Sequence, residues 1–554
     1  MPLLRDFNRG YRHPFLFGIH YLGGVGDNPR TVAELSMSKY SALLRTQKHW
    51  WTRYKDESTR NAWRELAKLP SITFVKTPSS SVEVELSQQQ IEYVLDELAG
   101  YAALRDTDNQ CQVSCFERIW EADSLLSAAI NDELRVSLYK LEHLPTCTRS
   151  CDGNTLNLID PMLHCLVYNR TLVWYNFRTP RPLPSPPIPD IYTVCPRFAL
   201  LPTDIFVDDS RQVKFLSYIN NLHRDDHTSL YTLLETCLTK FLPLFEHSLT
   251  DLHRNNPLRQ RIPGSCRYTI WEEPEAPEYS DDEEGWSAYE RDMRHWVMNR
   301  PIELPSVPHT GYPGGLEDRK FLVSLRGRKL QVIVDVTETR LRPQGPGFAG
   351  GAWHVKGMRN ERIVACGIHC LSADNITPVS IQYRMAVTYP RGFSPGDAGA
   401  TLRTWGFSDG DACHQYIGEI QLRKGLSFVF PNIYQHRQTS FELVDTDREG
   451  RLLLLMFYLI DPEIQTIVST GSVAPQQKDW IKRELEHALS SHLPIELIDV
   501  IFSFAEGLMD LQEAEEYRDA FVDAQAIFRE ANNNYHFCIP FDVWNGPDFS
   551  FTNS

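Results

Sequence analysis

The chain has 554 residues, 42% of them apolar and 11% aromatic, enough to bury a sizeable core and to form more than one domain. Its 56 basic side chains against 72 acidic ones give a formal charge of -16, which repels phosphate backbones and anionic lipid, so no nucleic acid and no membrane is expected as a partner. No apolar run reaches the length of a membrane span, the early charges Arg5 and Asp6 do not suit a secretory leader, and Phe551-Thr552-Asn553-Ser554 matches no retention or prenylation signal; the expectation is a soluble cytoplasmic protein.

In chain order, residues 1–310 read as mainly helical. They open with an aromatic-rich stretch, Tyr11 to Gly18, followed by helical spacing from Thr31 to Leu66, whose Trp50, Trp51 and Trp63 suit core packing. Ser87-Gln88-Gln89-Gln90 then opens an amphipathic helix with Ile91, Val94, Leu95 and Leu98 on one face. Cys111 with Cys115, and Cys147 with Cys151, are two C-x3-C pairs. They loosely resemble a four-thiolate metal site, but one helical turn and one loop explain them more simply. The proline-rich run 179–190 predicts a stiff extended connector, and residues 226–255 predict one or two helices. The acidic, proline-containing run 272–284 predicts a solvated insertion.

From about residue 311 the pattern changes to strands. Leu330 to Val336, Arg362 to Ile368 and Ser427 to Phe430 are rich in β-branched and aromatic residues bounded by turn signals. After residue 474 helical spacing returns and holds to about Asn532. The expected fold class is α+β: a double-stranded β-helix, or jelly roll, over 311–474, with a helical region before it and another over 475–554.

Two histidine motifs stand in the strand-rich part, Gly350-Gly351-Ala352-Trp353-His354-Val355-Lys356-Gly357-Met358 and Phe430-Pro431-Asn432-Ile433-Tyr434-Gln435-His436. Along a strand, residues two apart point the same way, so a His-x-acid pair and a distant His can hold one ion between them. Three ligands on one face leave a ferrous ion open to co-substrate and oxygen. Arg451, after the second histidine, could then grip a carboxylate of 2-oxoglutarate through its two-pronged guanidinium. Tyr383 and Arg384 are candidates to assist there. His369 suits a core position, and His414 suits either the cavity entrance or a surface loop.

These motifs, with Asp374-Asn375-Ile376-Thr377, Tyr383-Arg384-Met385-Ala386-Val387, Ile460-Asp461-Pro462 and Pro475-Gln476-Gln477, resemble the signature of a fungal family, DUF4246. That family is similar in motif layout to Fe(II)/2-oxoglutarate-dependent oxygenases. The resemblance implies a dioxygenase with Fe(II) and 2-oxoglutarate as cofactors, His354 and His436 as metal ligands, and Arg451 and Tyr383 on the co-substrate. It also implies oxidation of a small-molecule substrate, such as an amino acid or an intermediate of fungal secondary metabolism.

The chain departs from the family pattern at two places. Lys356 stands where the pattern has Glu, and Gly450 where it has His. An ammonium cannot ligate a metal while it is protonated, and a neighbouring dication repels it. Three readings follow. A substitute acid completes the site, Glu361 being nearest although its odd spacing from His354 points it the other way. Alternatively, two histidines hold iron with solvent or halide in the third place. Or the member is catalytically degenerate and acts as a ligand-binding or interaction protein. The helical regions are expected to shape the pocket or to mediate a homodimer.

Overall fold

The computed structural model describes Tyr11 and residues 26–150, 153–175, 179–187, 193–253, 256, 258–269, 272–537 and 539–544. Most of the aromatic-rich opening (after Tyr11) and Cys151 lie outside the described residues. Helices and strands are both abundant, in keeping with an α+β chain.

The helices begin where the sequence supplies caps. The first, α1 (Val32–Arg45), starts at Thr31, whose side chain accepts from the Glu34 amide. Further along, past three shorter helices, α2 (Gln88–Leu104) opens with the reciprocal Ser87/Gln90 capping box. After them come α3 (Ala128–Tyr139) and the long α4 (Thr228–Leu252), which buries Leu234, Leu238, Phe241 and Phe245 along one stripe. The acidic run ends at Asp282, which caps the surface helix α5 (Glu283–Asn299). The C-terminal part holds α6 (Lys478–Leu489), α7 (Ile495–Ser503) and α8 (Leu511–Ala531). Among the described residues no helix is long and apolar enough to cross a membrane.

Among the described residues, thirteen strands build the two sheets that matter for the site. They are β1 (Gln112–Val113), β2 (Trp120–Ala122), β3 (Thr148–Arg149), β4 (Thr155–Ile159), β5 (Thr203–Val207), β6 (Val213–Phe215) and β7 (Arg328–Leu341). Then come β8 (Ile363–Asp374), β9 (Ser380–Ala386), β10 (His414–Gln421), β11 (Ser427–Pro431), β12 (Gln435–Gln438) and β13 (Gly450–Ile460). The large sheet runs in the order β6-β5-β7-β13-β8-β11-β2-β1, with β4 also pairing with β7 and β3 with β4. The small sheet runs β10-β9-β12. All these strand pairs are antiparallel.

The large sheet therefore does not start at residue 311. Strands from 112–215 extend it on both sides, so the region expected to be mainly helical supplies six of its strands. Short two- to five-residue strands with mixed polarity carry almost no alternation, which is why helical periodicity dominates that part of the sequence. Cys111 and Cys115 likewise flank β1 rather than sharing a helical turn. The proline-rich run contributes an edge strand, Thr179–Pro182, against Leu172–Tyr175; proline is tolerated there because an edge leaves one row of amides unpaired.

Both faces of the large sheet are covered, which explains the unbroken apolar run of β13. Leu453, Leu455, Phe457 and Leu459 join Val332, Val334 and Val336 in the core packed under α4. The alternate residues Leu452, Leu454, Tyr458 and Ile460 face the other way, toward the small sheet and α8. On the α4 face contact is close: Phe241 lies 5.4 Å from Phe457, and a Cβ on Gly367 would come within 2.9 Å of the Phe241 ring. On the other face the two sheets leave space.

Candidate active site between the sheets

A cavity of about 340 Å³ lies between the large and small sheets, lined by Asp335 and Thr337 of β7, Cys366 of β8, His436 and Gln438 of β12, and Tyr458 of β13. A smaller space of about 170 Å³ adjoins it under the last turns of α8. His354, Lys356 and Met162 border both.

The sequence brings the two histidines together through the backbone. His354 and His436 form a hydrogen-bonded antiparallel pair, N–H to carbonyl at 3.1 and 2.9 Å, which adds the first motif to the edge of the small sheet beside β12. Their rings lie 4.3 Å apart, and Phe430 stands edge-on to His436 at 4.7 Å. Trp353, the neighbour of His354, is held between the guanidinium groups of Arg384 and Arg437, each 4.7 Å from its ring. Alternation then turns His354 inward.

The next turn sets Lys356. Asn432 accepts from the Lys356 amide at 2.8 Å and donates to its carbonyl at 2.7 Å, tying the two motifs side by side. Gly357 has a φ of 69°, and a Cβ there would come within 2.7 Å of a Glu361 oxygen, so the turn needs glycine. The Lys356 ammonium enters the cavity, 3.3 Å from Asp335 Oδ2 and 4.5 Å above the Tyr458 ring. Tyr458 donates to the same Asp335 oxygen at 2.8 Å. Deeper in the wall, Arg518 of α8 donates to Asp160 at 2.6 Å, and Thr148 does the same.

Burial decides the charge states. It lowers the His354 pKa to about 4, with Lys356 and Arg529 adding to the effect against the Ala352 carbonyl. It holds His436 well below the ordinary imidazole value, helped by His354 and Lys356. Both rings are neutral at neutral pH. Burial raises Asp335 above the usual carboxylate range, while the Lys356 cation and the Tyr458 hydroxyl pull it back.

The residues present do not fit an iron centre of the kind the motif layout implies. Two imidazoles converge, but the position two after His354 holds an ammonium. Glu361 does not replace the missing acid: its carboxylate accepts from the Met358 and Leu200 amides, a structural role, and burial raises it to about 7. Asp335 is in the cavity, yet its Oδ2 is already held by Lys356 and Tyr458. Among the described residues no group of three His, Cys, Asp or Glu could hold a metal ion. Cys111, Cys115 and Cys147 belong to no such group among the described residues, and Cys151 lies outside them.

Arg451 and Tyr383 do not reach the cavity. Arg451 has the strand parity of Leu453 and Leu455 and so faces the α4 side, where it approaches Glu449 at 3.2 Å, Glu338 at 3.8 Å and the Tyr139 ring at 5.6 Å. Tyr383 is fully buried against Phe430, 5.1 Å away, in the packing between the sheets. His369 is a core residue between Ser427 and Asn131. His414 is buried on β10 beside Arg384 rather than in a surface loop. The residues that sequence reasoning passed over are Asp335, Tyr458, Asp160 and Arg518. A lone acid inside Leu330 to Val336 was a readable signal for Asp335; nothing local marks Asp160 or Arg518.

Residues 88–484 match DUF4246, a protein family of unknown function. No curated protein matches the chain. Among solved structures, IDO from Bacillus thuringiensis is 10% identical over 24% of this chain and 48% of its own, with a TM-score of 0.16. The Fe(II)/(alpha)ketoglutarate-dependent dioxygenase TqaL is 11% identical over 27% of this chain and 51% of its own, at 0.17. AviO1 from Streptomyces viridochromogenes is 11% identical over 63% of this chain and 92% of its own, at 0.21. The chain spans about half the length of the first two. At these scores the likenesses carry no argument, and the site has to be read from its own residues.

Proposed function

We propose that this chain, which belongs to the DUF4246 family, is a small-molecule-binding protein on an oxygenase-type double-stranded β-helix whose iron centre is replaced by an internal ion pair. The observation that carries this reading is the Lys356 ammonium in the cavity, 3.3 Å from Asp335 and bordering the same space as His354 and His436. A cation beside two imidazoles opposes a metal there by about 4 kcal/mol per unit charge at 4 Å in a near-surface medium, and twice that for a dication. Two facing antiparallel sheets with a cavity between them support the β-helix reading. The neutral imidazoles, the ion pair and the Tyr458 hydroxyl stand with Ile368, Phe430, Leu454 and Met456 in the cavity lining, a mixture of polar and apolar groups that suits an organic ligand.

A second reading, a metal-dependent oxygenase acting on a small molecule, is favoured by the pairing of two neutral imidazoles 4.3 Å apart. An anaerobic titration with Fe(II) and 2-oxoglutarate separates the two. The proposal expects no visible charge-transfer band. A band that appears, and is lost in His354→Ala and His436→Ala, would sink it in favour of the oxygenase.

A further inference from the structure

The smaller space beside the cavity carries more than the ion pair explains. Its wall on one side is the first histidine motif, and on the other the end of α8, a helix whose task is not legible in the sequence. Arg518, Val522, Gln525, Arg529 and Asn532 are spaced by four, three, four and three, so they share one face. The first two border the larger cavity and the last three the smaller space beside it. Thus α8 runs the length of the site.

Three features of this smaller space point to one ligand chemistry. Among the described residues no acidic one lines it, in a chain whose formal charge is -16, while Lys356 and Arg529 both do. The Gln525 amide nitrogen is a buried donor with no hydrogen-bond partner among the described residues. Asn532, 3% exposed, donates its amide to the Phe528 carbonyl at 2.8 Å, which fixes its carbonyl oxygen, and that oxygen is a buried acceptor with no partner among the described residues. An unmade hydrogen bond on a buried group costs about 1–3 kcal/mol, and a ligand that makes the bond recovers it.

We infer that the smaller space binds a small carboxylate that also carries a hydrogen-bond donor, a hydroxy or amino acid, with Arg529, Lys356 and Gln525 receiving the carboxylate and Asn532 accepting from the donor. This rests on the metal-free reading of the cavity, because it asks Lys356 to serve an anion rather than to yield to a cation. It also gives the C-terminal helix a function: it selects the ligand.

The test is calorimetric titration of the full chain, with chelator present, using 2-hydroxyglutarate, glutarate and dimethyl glutarate as probes. The expected order is the hydroxy acid tightest, the plain acid weaker and the neutral diester not bound. Arg529→Ala should weaken both acids by about tenfold, as for loss of a charged hydrogen bond, and Arg529→Lys should recover part of it. Arg529 is exposed, so this variant keeps the fold. Asn532→Ala, checked for unchanged thermal stability, should erase the preference for the hydroxy acid and leave glutarate binding in place. Acids that fail to bind, or a diester that binds as well as they do, would overturn the inference while leaving the metal-free reading intact. Acid binding that appears only when the chelator is replaced by Fe(II) would overturn both.

Discussion

The two faces of the large sheet are made from the same strands and do opposite things. On β13, Phe457 closes against Phe241 under α4, whereas its neighbours Met456 and Tyr458 border the cavity. One face is filled by the α4 side chains; the other keeps a space between the two sheets. The lesson is that in a strand buried on both sides a residue's role follows from its parity and its cover, because composition is the same on both faces. Arg451 shows it best, being attached to a site strand and turned away from the site.

The largest expected difference between the faces is in packing. Phe457→Ala should cost about 3–5 kcal/mol in urea denaturation, and Met456→Ala, beside existing space, less than about 2. Equal losses would mean that the cavity face is as tightly packed as the other.

Titration separates the faces next, with opposite signs. His369, buried toward the α4 side, has its pKa lowered to about 4 from the ordinary 6.5. Folding favours its neutral form, so its contribution is complete above about pH 6.5 and drains as the pH falls toward 4, by about 3 kcal/mol in all. His369→Asn should flatten that part of the stability profile. Asp335, on the cavity face, is raised by burial, so its contribution declines as the pH rises above the usual carboxylate value. Asp335→Asn should remove that decline and, by leaving the Lys356 ammonium without its anion, cost about 1–3 kcal/mol at neutral pH.

The smallest effect belongs to Arg451. Its partners Glu449 and Glu338 lie on the far side of the sheet, and its side chain is 35% exposed. Arg451→Ala should change stability by no more than about 1 kcal/mol and leave carboxylate binding by the cavity unchanged. A large loss of binding would place the ligand on the wrong face in the present account.

The sequence was most legible where periodicity is long. Leu330 to Val336, Leu452 to Ile460 and the helices from Thr228 and Leu511 stand out because many residues repeat one pattern. It was poorly legible over 112–215, where two- to five-residue strands are recruited to the sheet by partners more than a hundred residues away. Motif spacing brought His354, Lys356 and His436 to one place, since they are joined by a single strand pairing and one asparagine. Arg451 was assigned from order along the chain, and order does not give the side of a sheet. Arg518, Gln525 and Arg529 carry no local sign of a site, because a polar stripe on a helix looks the same whether it faces water or a cavity.

The most direct test of the central claim is a Co(II) titration of the wild-type chain beside Lys356→Glu, followed by visible absorption. The account predicts no specific cobalt spectrum for the wild type and a saturable one for the variant, lost again when His436→Ala is added. A wild-type chain that binds cobalt through His354 and His436 as tightly as the variant would contradict it.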